Sequence, residues 1–140
     1  MTVQSIPVLL IAGVSLYAGF SHLMMFLNLK ENWENLYFAL TCFSVVSYDV
    51  VCVGLYNADS LAAGIGWQRG QYFAAIGLMI SFIYFSFALT RTKANLIKKL
   101  FTVAIFLMIS SGLAFPVLIF NAGRPSIRKI TILDFPITYY

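Results

Sequence analysis

The sequence of 140 residues predicts an all-α integral membrane protein, four transmembrane helices in an antiparallel bundle. Three observations carry this. The chain is 61% hydrophobic and only 10% charged, against a charged share of about 25% in soluble domains, and a water-soluble fold of this length cannot hide so much apolar surface. Mean hydropathy is +0.87. The apolar residues gather in four runs, each near the ~20 residues that cross a hydrocarbon core. Short polar segments separate these runs, so that neighbouring helices run antiparallel.

The first span covers 6–29 and holds no charged side chain. No Lys or Arg precedes it and no small-x-small cleavage site follows, so it reads as a retained anchor and not as a signal peptide. The second span covers about 36–56, the third 70–89 and the fourth 100–120. Trp33, Tyr37, Tyr56, Trp67 and Tyr72 fall at the expected span ends, where amphipathic rings prefer the headgroup layer. Pro116 is expected to kink the fourth helix by removing a backbone hydrogen bond. Residues 121–140 form an extracytoplasmic tail or the start of a longer remainder, and the apolar, β-rich stretch 130–140 reads as interrupted. No repeat or low-complexity linker divides the chain.

The net charge of +4 does not point to nucleic acid, because the basic residues lie in short strings between apolar runs. They set topology instead, and the lipid bilayer is the expected partner. Lys30, Arg91, Lys93, Lys98 and Lys99 fall on one side, and Arg69, Arg124, Arg128 and Lys129 on the other. This bias, with no basic side chain before the first span, places the N-terminus outside.

Asp49 is the most informative position, since a carboxylate well inside a span costs ~2.5 to 3.5 kcal/mol on insertion scales. Cys42, Val45, Asp49, Cys52 and Tyr56 share one seam at helical spacing, which turns Asp49 into the bundle. It is either a binding or proton-linked carboxylate or a structural one, hydrogen-bonded to Tyr, Ser or Arg69. Tyr48, Asp49, Arg69 and Gln71 form the expected ligand-binding or polar core. Arg69 is either an interfacial anchor or a clamp for a ligand carboxylate, and it lies about 10 Å from Asp49 in depth.

His22, the single histidine, has no metal-ligand spacing with Cys, Asp or Glu and reads as a packed, hydrogen-bonded residue. Cys42 and Cys52 stand about 15 Å apart along one helix and cannot bridge. Ser15 and Gly19, with Ser110, Ser111, Gly112 and Ala114, offer small faces for helix packing and for a homodimer. No phosphate loop, G-x-S-x-G elbow, H-E-x-x-H motif or Cys/His cluster occurs, so neither a catalytic residue, a metal site nor a cofactor is expected.

Glu34-Asn35-Leu36-Tyr37-Phe38-Ala39-Leu40, Tyr48-Asp49, Gly54-Leu55-Tyr56-Asn57-Ala58 and Trp67-Gln68-Arg69-Gly70-Gln71-Tyr72-Phe73 carry a resemblance. From Lys30 to Leu89 the chain resembles the N-terminal, seven-helix type membrane sensory region of bacterial sensor histidine kinases and related signalling proteins. The resemblance implies a sensor in the bacterial inner membrane that detects an extracytoplasmic or membrane-dissolved small-molecule cue. The four spans would then be the first part of a larger unit, with an odd number of further spans before a cytoplasmic output domain. A small proton-coupled carrier and a structural subunit of a membrane complex are the rival readings.

Overall fold

The computed structural model describes residues 2–91, 95–114, 128–132 and 135–139. Four helices run in order, α1 Ser5–Asn28, α2 Trp33–Tyr56, α3 Leu61–Leu89 and α4 Asn95–Ala114. Strands β1 Arg128–Ile132 and β2 Phe135–Tyr139 pair antiparallel, with Ile130 opposite Ile137, so the β-rich stretch of the tail departs from an all-α chain. Helices α1, α2 and α3 are long and apolar enough to cross a membrane, whereas the apolar part of α4, Leu100–Ile109, is shorter.

The first two helices match the expected spans closely, and the third does not. Helix α3 starts at Leu61 and not at 70. The Ser60 hydroxyl caps it by accepting from the Ala63 N–H at 3.2 Å, which satisfies one of the unpaired donors of a helix start. Residues 61–69, which fall between the expected spans, are therefore helical, and the link from α2 shrinks to 57–60. At ~1.5 Å per residue the 29 residues of α3 reach past a ~30 Å hydrocarbon core. Helix α4 likewise starts at Asn95, ahead of the expected 100. The expected end of that span at 115–120, with the kink at Pro116, and the tail segment 121–127 lie outside the described residues.

Packing links consecutive helices, α1 to α2, α2 to α3 and α3 to α4, while β2 touches α2. Among the described residues α1 contacts neither α3 nor α4. Within this helical bundle the described helices pair consecutively, as an open row. The reason lies in what each helix buries. Among the described residues the buried hydrophobic ones are Ala12, Ala39, Cys42, Cys52, Ile76 and Ile105, mostly small, and many large apolar side chains are exposed. Lipid is as apolar as leucine, so helix pairing here relies on close backbone approach along small residues.

On α1 the buried positions Ser5, Ala12 and Gly19 recur every seven residues, forming one column. A Cβ on Gly19 would stand 3.1 Å from that of Cys42 and 2.9 Å from the Phe43 ring, so α1 and α2 nearly touch there. Gly19 belongs to the α1–α2 seam, Ser15 is half-buried beside it, and Ser5 and Ala12 complete the column. Ser110 and Gly112 lie in α4, with their side-chain surroundings outside the described residues.

The α2–α3 seam uses the same device. The Trp67 indole lies on Gly54, where any Cβ would overlap the ring, and Gly70 faces the Val51 methyls at 3.4 Å. Trp67 thus packs in this seam at the level of the last turn of α2. Tyr72 lies further along α3, where its hydroxyl donates to the Met108 carbonyl at 2.9 Å and joins α3 to α4.

A candidate polar site within the second and third spans

Hydroxyl groups inside these helices are satisfied locally. Thr41, Ser44 and Ser47 donate to the Tyr37, Leu40 and Phe43 carbonyls, each at 2.9 Å. Such i to i−4 bonds let a hydroxyl sit in hydrocarbon without an external partner. A carboxylate has no such remedy, because it offers the helix only acceptors.

Asp49 is on α2, seven residues before its last residue Tyr56. One heptad separates it from Cys42, whose Cβ faces Gly19, so at ~3.6 residues per turn Asp49 returns to nearly the same side. Its Oδ2 is buried and has no hydrogen-bond partner among the described residues. Of the buried side-chain oxygens and nitrogens described, this atom stands out for that reason.

Beside it, three side chains join α2 to α3. Gln71 Nε2 donates to the Tyr48 hydroxyl at 3.0 Å and to Cys52 Sγ at 3.2 Å. The amide carbonyl of Gln71 and the lone pairs of Tyr48 keep further hydrogen-bonding capacity. A little deeper, Ser81 on α3 donates to Ser44 on α2 at 3.2 Å. The seam Val45, Asp49, Cys52 and Tyr56 therefore lies between the contacts to α1 and those to α3.

Of the expected core residues, Tyr48 and Gln71 meet directly and Asp49 adjoins them. Arg69 stands apart. Because Trp67 packs on Gly54 and Gly70 on Val51, Arg69 is level with residues 51–54, about one turn or ~5 Å from Asp49 in depth. The expected 10 Å separation and the place at a helix entrance are both corrected, and the cause is the early start of α3. Arg69 is exposed and does not reach Asp49 Oδ2.

His22 takes the packed role. Its Nδ1 is 2.9 Å from Asn35 Oδ1 and its ring lies 4.3 Å from that of Phe38. Cys52 enters the polar cluster through its sulfur, and both cysteines are buried and free.

Asn57 stands outside the expected core residues. Its Oδ1 accepts from the Thr2 N–H at 2.8 Å, and its Nδ2 donates to Ser5 Oγ at 2.8 Å and to the Val53 carbonyl at 2.7 Å. Ser5 is fully buried by this arrangement. The heptad recurrence of Ser5, Ala12 and Gly19 was the available signal. At the opposite end, a cavity of about 450 Å³ opens on the α1–α2 turn between Asn28 and Asn32. It is remote from Asp49 along the helices.

Comparison with family models, with curated proteins and with solved structures finds no match for this chain.

Proposed function

We propose that the chain is a membrane-embedded sensory module of a bacterial signalling protein, with Asp49 at the centre of a site for a membrane-dissolved cue. The buried, unpartnered Oδ2 of Asp49 carries this reading. An ionisable residue inside a span is expensive, and retaining one points to a task. The cue offers a hydrogen-bond donor to Asp49 and an apolar body to the lipid-facing gap between α1 and α3. Tyr48, Cys52 and Gln71 line the same seam and tie its occupancy to the α2–α3 contact. A cue that binds one packing of these helices better than another shifts their populations by that difference in affinity. The N-terminus lies outside, as the basic residues indicate.

The test uses the full chain in phospholipid vesicles, with Trp33→Phe leaving Trp67 as the reporter on the α2–α3 seam. Titration with a long-chain primary alkylamine gives a saturable change in Trp67 emission. The corresponding quaternary amine, which lacks N–H donors, gives a weaker one. Asp49→Asn weakens the response by about tenfold, as loss of one charge-assisted hydrogen bond does. Identical titrations for wild type and Asp49→Asn overturn the proposal. Asp49-dependent transport of the amine across the vesicle membrane makes the chain a carrier instead.

A further inference from the structure

We infer that a second copy of this chain docks on the outer face of α1, through Leu10, Gly13, Val14 and Tyr17. This surface is independent of the Asp49 seam.

Among the described residues helix α1 contacts α2 on one side and neither α3 nor α4. Opposite the Ser5, Ala12 and Gly19 column runs a strip whose exposures are among the largest in the molecule, Leu10 68%, Val14 71% and Tyr17 78%. Lipid can cover leucine and valine, but Tyr17 poses a different problem. It is thirteenth of the 24 residues of α1, hence at the middle of the span. About 18 Å of helix separates it from either end, farther than one aromatic side chain reaches toward the headgroups. Tyrosines favour the membrane interface because the ring is apolar and the hydroxyl wants water. The Tyr17 hydroxyl at the bilayer centre has neither water nor lipid headgroup to meet.

The same face supplies what such a hydroxyl needs. One turn before it, a Cβ on Gly13 would meet nothing within 4 Å, so the backbone there is bare and open to close approach. One turn after it, the Ser21 hydroxyl donates to the Tyr17 carbonyl at 2.9 Å. That bond uses the Ser21 hydrogen and leaves its oxygen able to accept. Donor and acceptor thus stand one turn apart on one strip.

This self-complementarity selects a second copy as the occupant. Two copies inserted with the same orientation and related by a two-fold axis along the membrane normal present their α1 helices in parallel. Each Tyr17 then arrives at the depth of the other, within one turn of Ser21 and of the bare Gly13 backbone on the second copy. The pairing is reciprocal, so one contact satisfies both hydroxyls. A helix interface of small and hydroxyl-bearing residues is the usual way in which spans associate in lipid.

The experiment is oxidative cross-linking of the full chain in phospholipid vesicles, paired with energy transfer between labelled copies on dilution with lipid. The wild type is the background control, since Cys42 and Cys52 are buried. Val14→Cys cross-links to dimers. Phe106→Cys, equally exposed at 68% but on α4, stays monomeric. Gly13→Leu abolishes energy transfer, and Tyr17→Phe weakens dimerisation by about eightfold, the effect of the two symmetry-related interhelical hydrogen bonds it removes. Helix content by circular dichroism is unchanged in both. Cross-linking through position 106 at the level of position 14, or dimerisation unaffected by Gly13→Leu and Tyr17→Phe, overturns the inference.

Discussion

Asn57 shows how one side chain can join three pieces of backbone. It holds Thr2 at the start of the described chain, Ser5 at the first turn of α1 and Val53 in the last turn of α2. The substitution Asn57→Ala leaves these groups without their partner, and an orphaned buried polar group costs about 1 to 3 kcal/mol. Unfolding in bicelles is therefore expected to become easier by that amount, with the helix content of the folded state unchanged. His22 invites the complementary experiment. Its contacts are Asn35 and the Phe38 ring, so His22→Leu removes the hydrogen bond and lowers stability by about 0.5 to 1.5 kcal/mol. A residue that held a metal would instead show metal-dependent stability, which a chelator titration of the wild type measures. The roles of Asn57 and Ser5 escaped the sequence because an asparagine just after an apolar run looks like any loop residue. His22 was easier to read, since nothing near it in the chain could complete a ligand set.

At the scale of elements, the seams between helices are set by glycine and alanine more than by large hydrophobes. Gly54→Leu drives a side chain into the Trp67 indole, and overpacking of this kind costs about 1 to 3 kcal/mol. Replacing both residues, Gly54→Leu with Trp67→Ala, removes the clash and recovers part of the loss. That non-additivity in a double-mutant cycle checks the α2–α3 register. Helices α1 and α2 were legible because an uninterrupted apolar run ends on either side in polar residues. The start of α3 was not, because Gly64, Gly66 and Arg69, ahead of the expected start at 70, resemble a loop when read in isolation. What makes them helical is the Ser60 cap and the fit of Trp67 onto a glycine of another helix. Contacts between distant segments leave no periodic mark in either one.

At the scale of the molecule, consecutive pairing yields an open row that keeps a polar seam inside an apolar body. The proposed orientation has a direct consequence. Asp59 and Glu31 are exposed at opposite ends of α2, so a membrane-impermeant maleimide added to intact cells labels Asp59→Cys and leaves Glu31→Cys untouched. The reverse pattern inverts the topology. The cluster around Asp49 was partly legible, because a carboxylate in an apolar run stands out and helical spacing links it to Cys52. The engagement of Gln71 with Tyr48 and Cys52, and the one-turn separation of Arg69, depend on the register between α2 and α3, which the sequence alone leaves open. The central claim is that Asp49 serves binding at the expense of folding. Its most direct test is the unfolding free energy of Asp49→Leu against wild type in bicelles. Replacing Asp49, whose Oδ2 is buried without a partner among the described residues, with an apolar group of similar size is expected to raise stability by about 1 to 3 kcal/mol. A fall in stability would mean that the carboxylate holds the helices together, and would contradict the account.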